Sequence, residues 1–148
     1  LPIAIRMINE FLPEGKLILY TQGKASPRMD YNSNGKGKYQ QLPLTVLIDE
    51  ASASASEIFA GAIQDYGLGS IVGTTTYGKG IVQQIFDLGD GTCVKLTMAE
   101  YYTPNGRNIH KKGITPDVEV EYQRDENNPN ADNQLDAALE QVRNKINQ

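Results

Sequence analysis

Residues 44–76 read LTVLIDEASASASEIFAGAIQDYGLGSIVGTTT, and this stretch decides the fold. Its first five residues are largely apolar and rich in β-branched side chains, which is typical of a strand buried on both faces. Apolar residues then recur at helical spacing over residues 55–66, and the glycines at 67 and 69 mark the end of that helix. Residues 70–76 have the pattern of a second strand. Strand, helix and strand in this order predict a right-handed parallel crossover.

The segments on either side of this unit extend an α/β pattern. They predict a helix over residues 1–12, a strand at 16–21, a long loop or loose hairpin over 22–41, an antiparallel hairpin of residues 82–88 and 92–102, an edge segment at 113–120, a polar linker at 123–133, and a final amphipathic helix with Leu135, Ala138, Leu139, Val142 and Ile146 on its apolar face. No internal repeat is visible.

The composition excludes several classes of protein. The 148 residues carry a net charge of −4 and a pI near 5.0, so no basic field favours nucleic acid. No run of 18 apolar residues is present, which argues against a membrane-spanning helix. The single cysteine, Cys93, excludes an internal disulfide and a multi-cysteine metal cluster, and we interpret it as a strand packing residue. A start at Leu1-Pro2, without an initiator Met or a signal-peptide pattern, suggests an excised or processed piece.

Nucleophilic catalysis needs a hydroxyl or thiol, a base, and donors for an oxyanion. The only histidine, His110, lies in a polar run, and we interpret it as a surface loop residue rather than the base of a Ser–His–Asp triad. Lysine is the other base available, and it acts only where burial or a positive field makes it neutral. Lys79 is the candidate, because it lies between two glycines, next to apolar side chains that could exclude water. The alternative is an exposed lysine of a hairpin.

The same loop raises a phosphate-binding alternative. Residues 73–80, GTTTYGKG, match the first seven positions of a P-loop, G-x-x-x-x-G-K. The eighth position should be Ser or Thr, and here it is Gly80. A P-loop also opens a helix, whereas the residues that follow predict a strand. Both differences disfavour this interpretation.

The serine run lies where a nucleophile could be presented, on the turn from a buried strand into a helix. The helix N-terminus offers free N–H groups and a positive dipole end for an oxyanion. The alternative is that one of these serines only caps the helix. The pattern alone does not choose among Ser52, Ser54 and Ser56.

Two strings resemble a specific family. Residues 48–83, IDEASASASEIFAGAIQDYGLGSIVGTTTYGKGIVQ, and residues 96–120, LTMAEYYTPNGRNIHKKGITPDVEV, are similar to the core of the carboxy-terminal processing proteases, also called tail-specific proteases. The second string includes the YYTP-x-GR and KGI-x-PD-x-x-V patterns. The resemblance covers roughly residues 42–121, and the residues before it agree more loosely.

The resemblance implies a Ser–Lys dyad with a supporting Gln. The family's nucleophile is the first Ser of S-A-S-E, which falls on Ser54, and its general base is the Lys of the G-K-G loop, which falls on Lys79. A Gln four residues later falls on Gln83, and it would orient and hydrogen-bond the lysine amine. The backbone N–H of Ala55 would be one oxyanion donor.

By the same analogy Ser56 caps the helix and Glu57 favours its first turn. The fold implied is α/β, similar to the Clp-protease/crotonase core of strand–strand–helix units and incomplete at its N-terminus. Residues 1–122 would be the C-terminal part of the protease catalytic domain, and residues 123–148 the polar linker and C-terminal amphipathic helix of the same domain. The upstream PDZ domain, the first catalytic strands and the motif that supplies the second oxyanion donor would lie outside the chain.

These implications define the expected function and its rivals. The parent enzyme would hydrolyse protein or peptide substrates through an acyl-enzyme, without a cofactor or metal, beyond the bacterial cytoplasmic membrane. This chain alone would be inactive or nearly so, and its exposed apolar surface would favour self-association. The rival from another class is a non-catalytic peptide-binding or scaffold fragment of the same fold. A crotonase-type acyl-CoA enzyme is a second rival, for which no CoA-directed signature is present.

Overall fold

A computed structural model describes residues 1–147 and shows helices and strands in an α/β arrangement. In chain order the elements are α1 (Pro2–Asn9), β1 (Leu17–Gln22), β2 (Met29–Asn32), β3 (Leu44–Ile48), α2 (Ala55–Asp65), β4 (Gly69–Gly73), β5 (Ile81–Asp87), β6 (Cys93–Tyr102), β7 (Val118–Glu119) and α3 (Asn133–Ile146). The strands form two sheets, one of three strands and one of four.

The three-stranded sheet has the order β3-β4-β7 and is parallel. Its register runs from Leu44 opposite Gly69 to Ile48 opposite Gly73, with α2 as the connection. Gly73 has φ 130°, and a Cβ there would collide with the Ile48 carbonyl oxygen, so this close strand pair requires glycine. The predicted parallel crossover is confirmed.

The helix of the crossover ends as its sequence predicts. Gly67 has φ 62° and donates its N–H to the Gln64 carbonyl at 3.0 Å, while the Leu68 N–H donates to the Ile63 carbonyl at 3.0 Å. This pair of bonds is a Schellman motif, which favours glycine at the left-handed position. It turns the chain directly into β4.

The four-stranded sheet has the order β2-β1-β6-β5 and is antiparallel. The predicted hairpin of β5 and β6 is confirmed. Residues 22–41, predicted as a long loop or loose hairpin, contribute the short strand β2, which pairs with β1, and are otherwise largely loop. On this sheet the rings of Tyr20 and Tyr102 stack with centroids 4.7 Å apart.

One apolar core joins the two sheets. Helix α2 packs against β4 and α1, and α3 packs against β3 and β4. The largest fully buried apolar side chains are Ile8, Leu12, Ile18, Leu19, Ile63, Ile71, Val72, Ile109 and Ile114. Because they come from both sheets, from α2 and from the segment after β6, the core holds these elements at fixed positions.

Two packing predictions are wrong. Strand β3 is not buried on both faces: it is an edge strand, and Leu47 is 43% exposed beside an open groove of about 410 Å³ between α1, β3 and the start of α2. Cys93 is exposed rather than packed, because the outer half of the β5–β6 hairpin extends away from the core. The predicted strand over residues 70–76 also ends early, at Gly73.

Within residues 1–147, no helix is both long enough and apolar enough to cross a bilayer.

Core and hairpin residues should differ sharply in their effect on stability. We expect Ile63→Ala, at a fully buried position, to lower the free energy of unfolding by about 2–5 kcal/mol, because it removes buried methyl groups and leaves a cavity. Ile85→Ala, at a position 64% exposed on β5, should change it by less than about 0.5 kcal/mol. Urea unfolding monitored by circular dichroism measures both, and equal losses would contradict this description of the core.

Candidate functional site

The candidate nucleophile, Ser54, lies in the turn between β3 and α2. Its backbone has φ 55° and ψ −108°, a conformation that residues other than glycine rarely adopt. Such a conformation costs on the order of 1–3 kcal/mol and persists where neighbouring contacts enforce it. A strained turn from a strand into a helix is also how nucleophile elbows present a serine hydroxyl. This backbone is therefore suited to a nucleophile.

The N-cap residue of α2 is Ser54, not Ser56. Ser56 lies exposed in the first helical turn, where its N–H donates to the Ala53 carbonyl at 3.2 Å. The prediction that Ser56 caps the helix is wrong, because the chain enters the helix two residues earlier. Alternating Ala and Ser residues give no periodicity that could have fixed this boundary.

The first residue of α2, Ala55, is exposed. Within the described part of the chain its N–H makes no hydrogen bond, as is usual in the first turn of a helix. The positive end of the helix dipole lies at the same point. The Ala55 N–H therefore has the chemical character of an oxyanion donor, which is the role predicted for it.

Glu57 is the buried centre of the site. Its side chain is fully buried, and its Oε2 accepts the Ser54 N–H at 2.7 Å and the Lys79 N–H at 2.9 Å. Its Oε1 accepts the Gly78 N–H and the Thr76 hydroxyl, each at 2.6 Å. One carboxylate thus joins the turn before α2 to the loop after β4. Glu57 does lie in the first turn of α2, as predicted, but its contacts reach far beyond that helix.

The loop that carries Lys79 is held from its other side by the end of β6 and the segment that follows it. The Lys111 N–H donates to the Gly78 carbonyl, and the Tyr101 N–H donates to the Gly80 carbonyl, both at 2.8 Å. A Cβ on Gly80 would lie 2.5 Å from the backbone nitrogen of His110, so the two backbone segments are in contact and leave no room for a side chain.

The Lys79 side chain is exposed, and so is that of Tyr77, which is 70% exposed. The apolar cover expected around Lys79 does not exclude water in the described residues, because Tyr77 is itself exposed and Ile81 is only half-buried. Lys79 lines an open cleft of about 510 Å³ whose other lining residues are Ala51, Ala53, Tyr77, Gly78, Ile81 and His110. Ala53, the neighbour of Ser54, shares this cleft with Lys79.

Gln83 does not contact Lys79 here. It is exposed on β5, directly after a β-bulge, and its side-chain amide donates to the Thr97 hydroxyl at 3.3 Å. Within residues 1–147 its side chain makes no hydrogen bond to the lysine. The predicted orienting role of Gln83 would require its side chain to turn away from Thr97.

Two alternatives for this region can now be judged. The loop leads into strand β5 rather than a helix, which contradicts the phosphate-binding alternative for residues 73–80. His110 is not a free surface residue: it is half-buried in the cleft beside Lys79, and its Nδ1 is buried without a hydrogen bond to any described residue. The core residue Ile109 beside it explains why the segment packs inward.

Comparison of the chain with models of known protein families identifies the family to which it belongs. The family model described as "Peptidase family S41" matches residues 1–120. The chain belongs to peptidase family S41. The resemblance to the carboxy-terminal processing proteases is thereby confirmed at the level of the family.

Individual S41 relatives show how far the similarity extends. The chain is 40% identical over 121 residues to the carboxyl-terminal-processing protease of Synechocystis sp., covering 82% of the chain and 28% of that protein. It is 37% identical over 118 residues to the probable CtpA-like serine protease of Staphylococcus epidermidis, covering 79% and 24%. The structure of the photosystem II D1 C-terminal processing protease matches with a TM-score of 0.76 and 36% identity, over 81% of this chain and 31% of that one.

These comparisons confirm the α/β fold prediction, since the likeness to the D1 processing protease covers most of the chain. The chain spans less than a third of the length of each of these proteins. What those whole proteins act on therefore enters only as a proposal for this S41 chain.

Sequence reasoning missed the roles of two residues that organise this site, Glu57 and Thr76. The Thr76 hydroxyl donates to Glu57 and accepts the Ile114 N–H at 2.7 Å, so it joins the lysine loop to the segment after β6. The sequence contains a partial indication that Glu57 is buried, because it directly precedes Ile58 on a helix whose next residues face the core. The spacing of Ser54 and Glu57 is also that of a capping box, which the structure contains, but this pattern predicts only the bond to Ser54 and not those to the lysine loop.

Removing the Thr76 hydroxyl should destabilise the site measurably. In Thr76→Val the shape is kept, but the Ile114 N–H and one Glu57 lone pair lose their partner. Each buried group left unpaired costs about 1–3 kcal/mol. Thr76→Ser keeps the hydroxyl and loses one methyl group, which costs about 0.8 kcal/mol. Differential scanning calorimetry should rank wild type, Ser and Val in falling order of stability, and a valine variant as stable as wild type would refute this network.

Proposed function

We propose that this S41 chain carries the catalytic centre of a serine endopeptidase in which Ser54 is the nucleophile and Lys79 is the general base. The observation that carries the proposal is the Glu57 carboxylate, whose Oε2 accepts the N–H groups of both residues. A single oxygen atom therefore holds the backbones of the proposed nucleophile and base next to each other. The bond from Ser54 also belongs to the capping box of α2, but a helix cap does not need the second bond, from Lys79.

The reaction proposed is acyl transfer to serine. The Ser54 hydroxyl attacks the scissile carbonyl while a neutral Lys79 amine takes its proton, and the Ala55 N–H stabilises the oxyanion. The protonated Lys79 then passes its proton to the leaving amine, and the ester of Ser54 remains. A water molecule, activated by neutral Lys79, hydrolyses that ester and restores the hydroxyl. No step in this sequence requires a metal or a cofactor.

Gln83 is proposed to orient the Lys79 amine. Its place on β5, four residues beyond Lys79 and after a bulge, supports this role because bulges re-aim side chains near active sites. The present partner, Thr97, gives it a long bond of 3.3 Å on an exposed surface. Such a bond is weak enough to be exchanged when the cleft is occupied.

The open cleft supports a further part of the proposal, that the 148-residue chain by itself is inactive or nearly so. A lysine must lose its hydration to act as a base, and Lys79 is exposed to water. Cover from other parts of a longer protein, from a bound substrate, or from a second copy through the exposed apolar residues would supply this desolvation. The resemblance to the family adds a PDZ domain in cis and a location beyond the cytoplasmic membrane to the proposal, and cell fractionation tests the location.

A non-catalytic scaffold is the second candidate, and the exposure of Lys79 is the observation that favours it. In that case Ser54 would be an ordinary N-cap serine without special reactivity. A fluorophosphonate probe distinguishes the two candidates, since it labels only an activated serine. We expect the label on Ser54 in a longer protein that contains this chain, and at least tenfold slower labelling in the isolated chain.

The dyad is tested by substitution in the longest available protein containing this chain, with an unstructured peptide as substrate. Ser54→Ala and Lys79→Ala should each lower kcat by at least a thousandfold, because the members of such a unit act together. Ser56→Ala and Lys95→Ala are matched controls at exposed positions and should keep wild-type activity. Cleavage that survives Lys79→Ala at neutral pH would eliminate Lys79 as the base.

A further inference from the structure

The Glu57 carboxylate is buried without a cationic partner. The ion pairs within residues 1–147 are Arg28 with Asp30 and Arg107 with Asp65, and neither involves Glu57. Burying a charge is costly unless hydrogen bonds replace its hydration. The helix N-terminus and four donors provide that replacement here.

All four partners of Glu57 are donors. The backbone N–H groups of Ser54, Gly78 and Lys79 can only donate. The Thr76 hydroxyl donates to Glu57 because it already accepts the Ile114 N–H. The site thus needs an acceptor on both oxygens, which a deprotonated carboxylate provides and the amide of glutamine does not.

The division of these donors between the two oxygens defines a geometry. Oε2 accepts from Ser54 and Lys79, the proposed nucleophile and base, while Oε1 accepts from Gly78 and Thr76 in the lysine loop. Rotation of the carboxylate would break both pairs at once. Since its side chain is fully buried, it cannot move without moving the turn and the loop together.

We propose that Glu57 is the positioning residue of the Ser54–Lys79 pair, acting as a fixed anionic acceptor that sets the distance between nucleophile and base. This inference rests on the proposed function. Glu57 touches neither substrate nor the reacting atoms, and it acts through the backbones of both residues. Misplacement of reacting groups by about 1 Å can cost roughly a hundredfold in rate. Loss of this carboxylate therefore lowers kcat, while the substrate-contacting surface and KM stay largely unchanged.

The test compares Glu57→Gln with wild type in the longest available protein containing this chain. Glutamine has the same shape, but its NH₂ group faces N–H donors and leaves at least one pair unsatisfied. We expect kcat to fall by about a hundredfold or more, as misplaced reacting groups require, KM to change by less than threefold, and fluorophosphonate labelling of Ser54 to slow in parallel with kcat.

Asp117→Asn is the matched control for a purely structural effect. The Asp117 carboxylate also joins two elements, accepting the Ile71 N–H of β4 and the Gln64 amide of α2 at 2.8 Å each, but Asp117 itself directly precedes β7 and, within the described residues, has no bond to the Ser54 turn. We expect this variant to lose stability and to keep wild-type kcat and labelling below its melting temperature.

Thr76→Val removes one of the four Glu57 donors and extends the test to a milder change. If Glu57→Gln does not fold, Thr76→Val should still lower kcat and Thr76→Ser should restore it. A folded Glu57→Gln variant with kcat within threefold of wild type overturns the inference. An equal loss of kcat in an Asp117→Asn variant whose melting temperature matches that of Glu57→Gln also overturns it. If Ser54→Ala keeps cleaving, the proposed function fails; if it abolishes cleavage but Glu57→Gln does not, only the inference fails.

Discussion

The site depends on one buried carboxylate. Glu57 accepts hydrogen bonds from two segments that are far apart in sequence and that the fold alone would only bring near each other. The strained residue Ser54 is bonded directly to this carboxylate, because its N–H donates to Glu57 in the capping box of α2. Strain at one residue is thus maintained by a charge-assisted hydrogen bond at 2.7 Å, a type roughly twice as strong as a neutral one.

The parallel sheet explains why two segments are available for this connection. Strands β3 and β4 are neighbours whose last residues, Ile48 and Gly73, lie opposite each other. Ser54 follows the first of these by six residues and Lys79 follows the second by six. The carboxyl ends of parallel strands meet at one edge of a sheet, where ligands ordinarily bind in open α/β folds. The crossover therefore delivers both residues to the same edge, and Glu57 fixes their separation.

Sequence periodicity predicted the crossover, the hairpin and the terminal helices because those elements have regular apolar spacing. It did not predict the exposure of Leu47 or Cys93, since the same apolar pattern fits a strand at the edge of a sheet and one at its centre. It also assigned Glu57 to the helix dipole, because a carboxylate is ordinarily read as solvent-exposed. Burial of Glu57 depends on contacts to residues about 20 positions away, which no local pattern contains.

Two requirements of a Ser–Lys site are separable in this molecule. Backbone positions of the proposed nucleophile and base are set by contacts within the chain, on one side by Glu57 and on the other by the end of β6 and the segment after it. The removal of water from around the Lys79 amine is not provided by contacts within the described residues, since the cleft that Lys79 lines is open to water. Because the backbones of Ser54 and Lys79 are already held in place, closing the cleft over Lys79 would be sufficient to activate the site, without rearranging the Ser54 turn. Control of such a protease would then act on access of water to one amine, and the fold would need no second conformation of its catalytic turn.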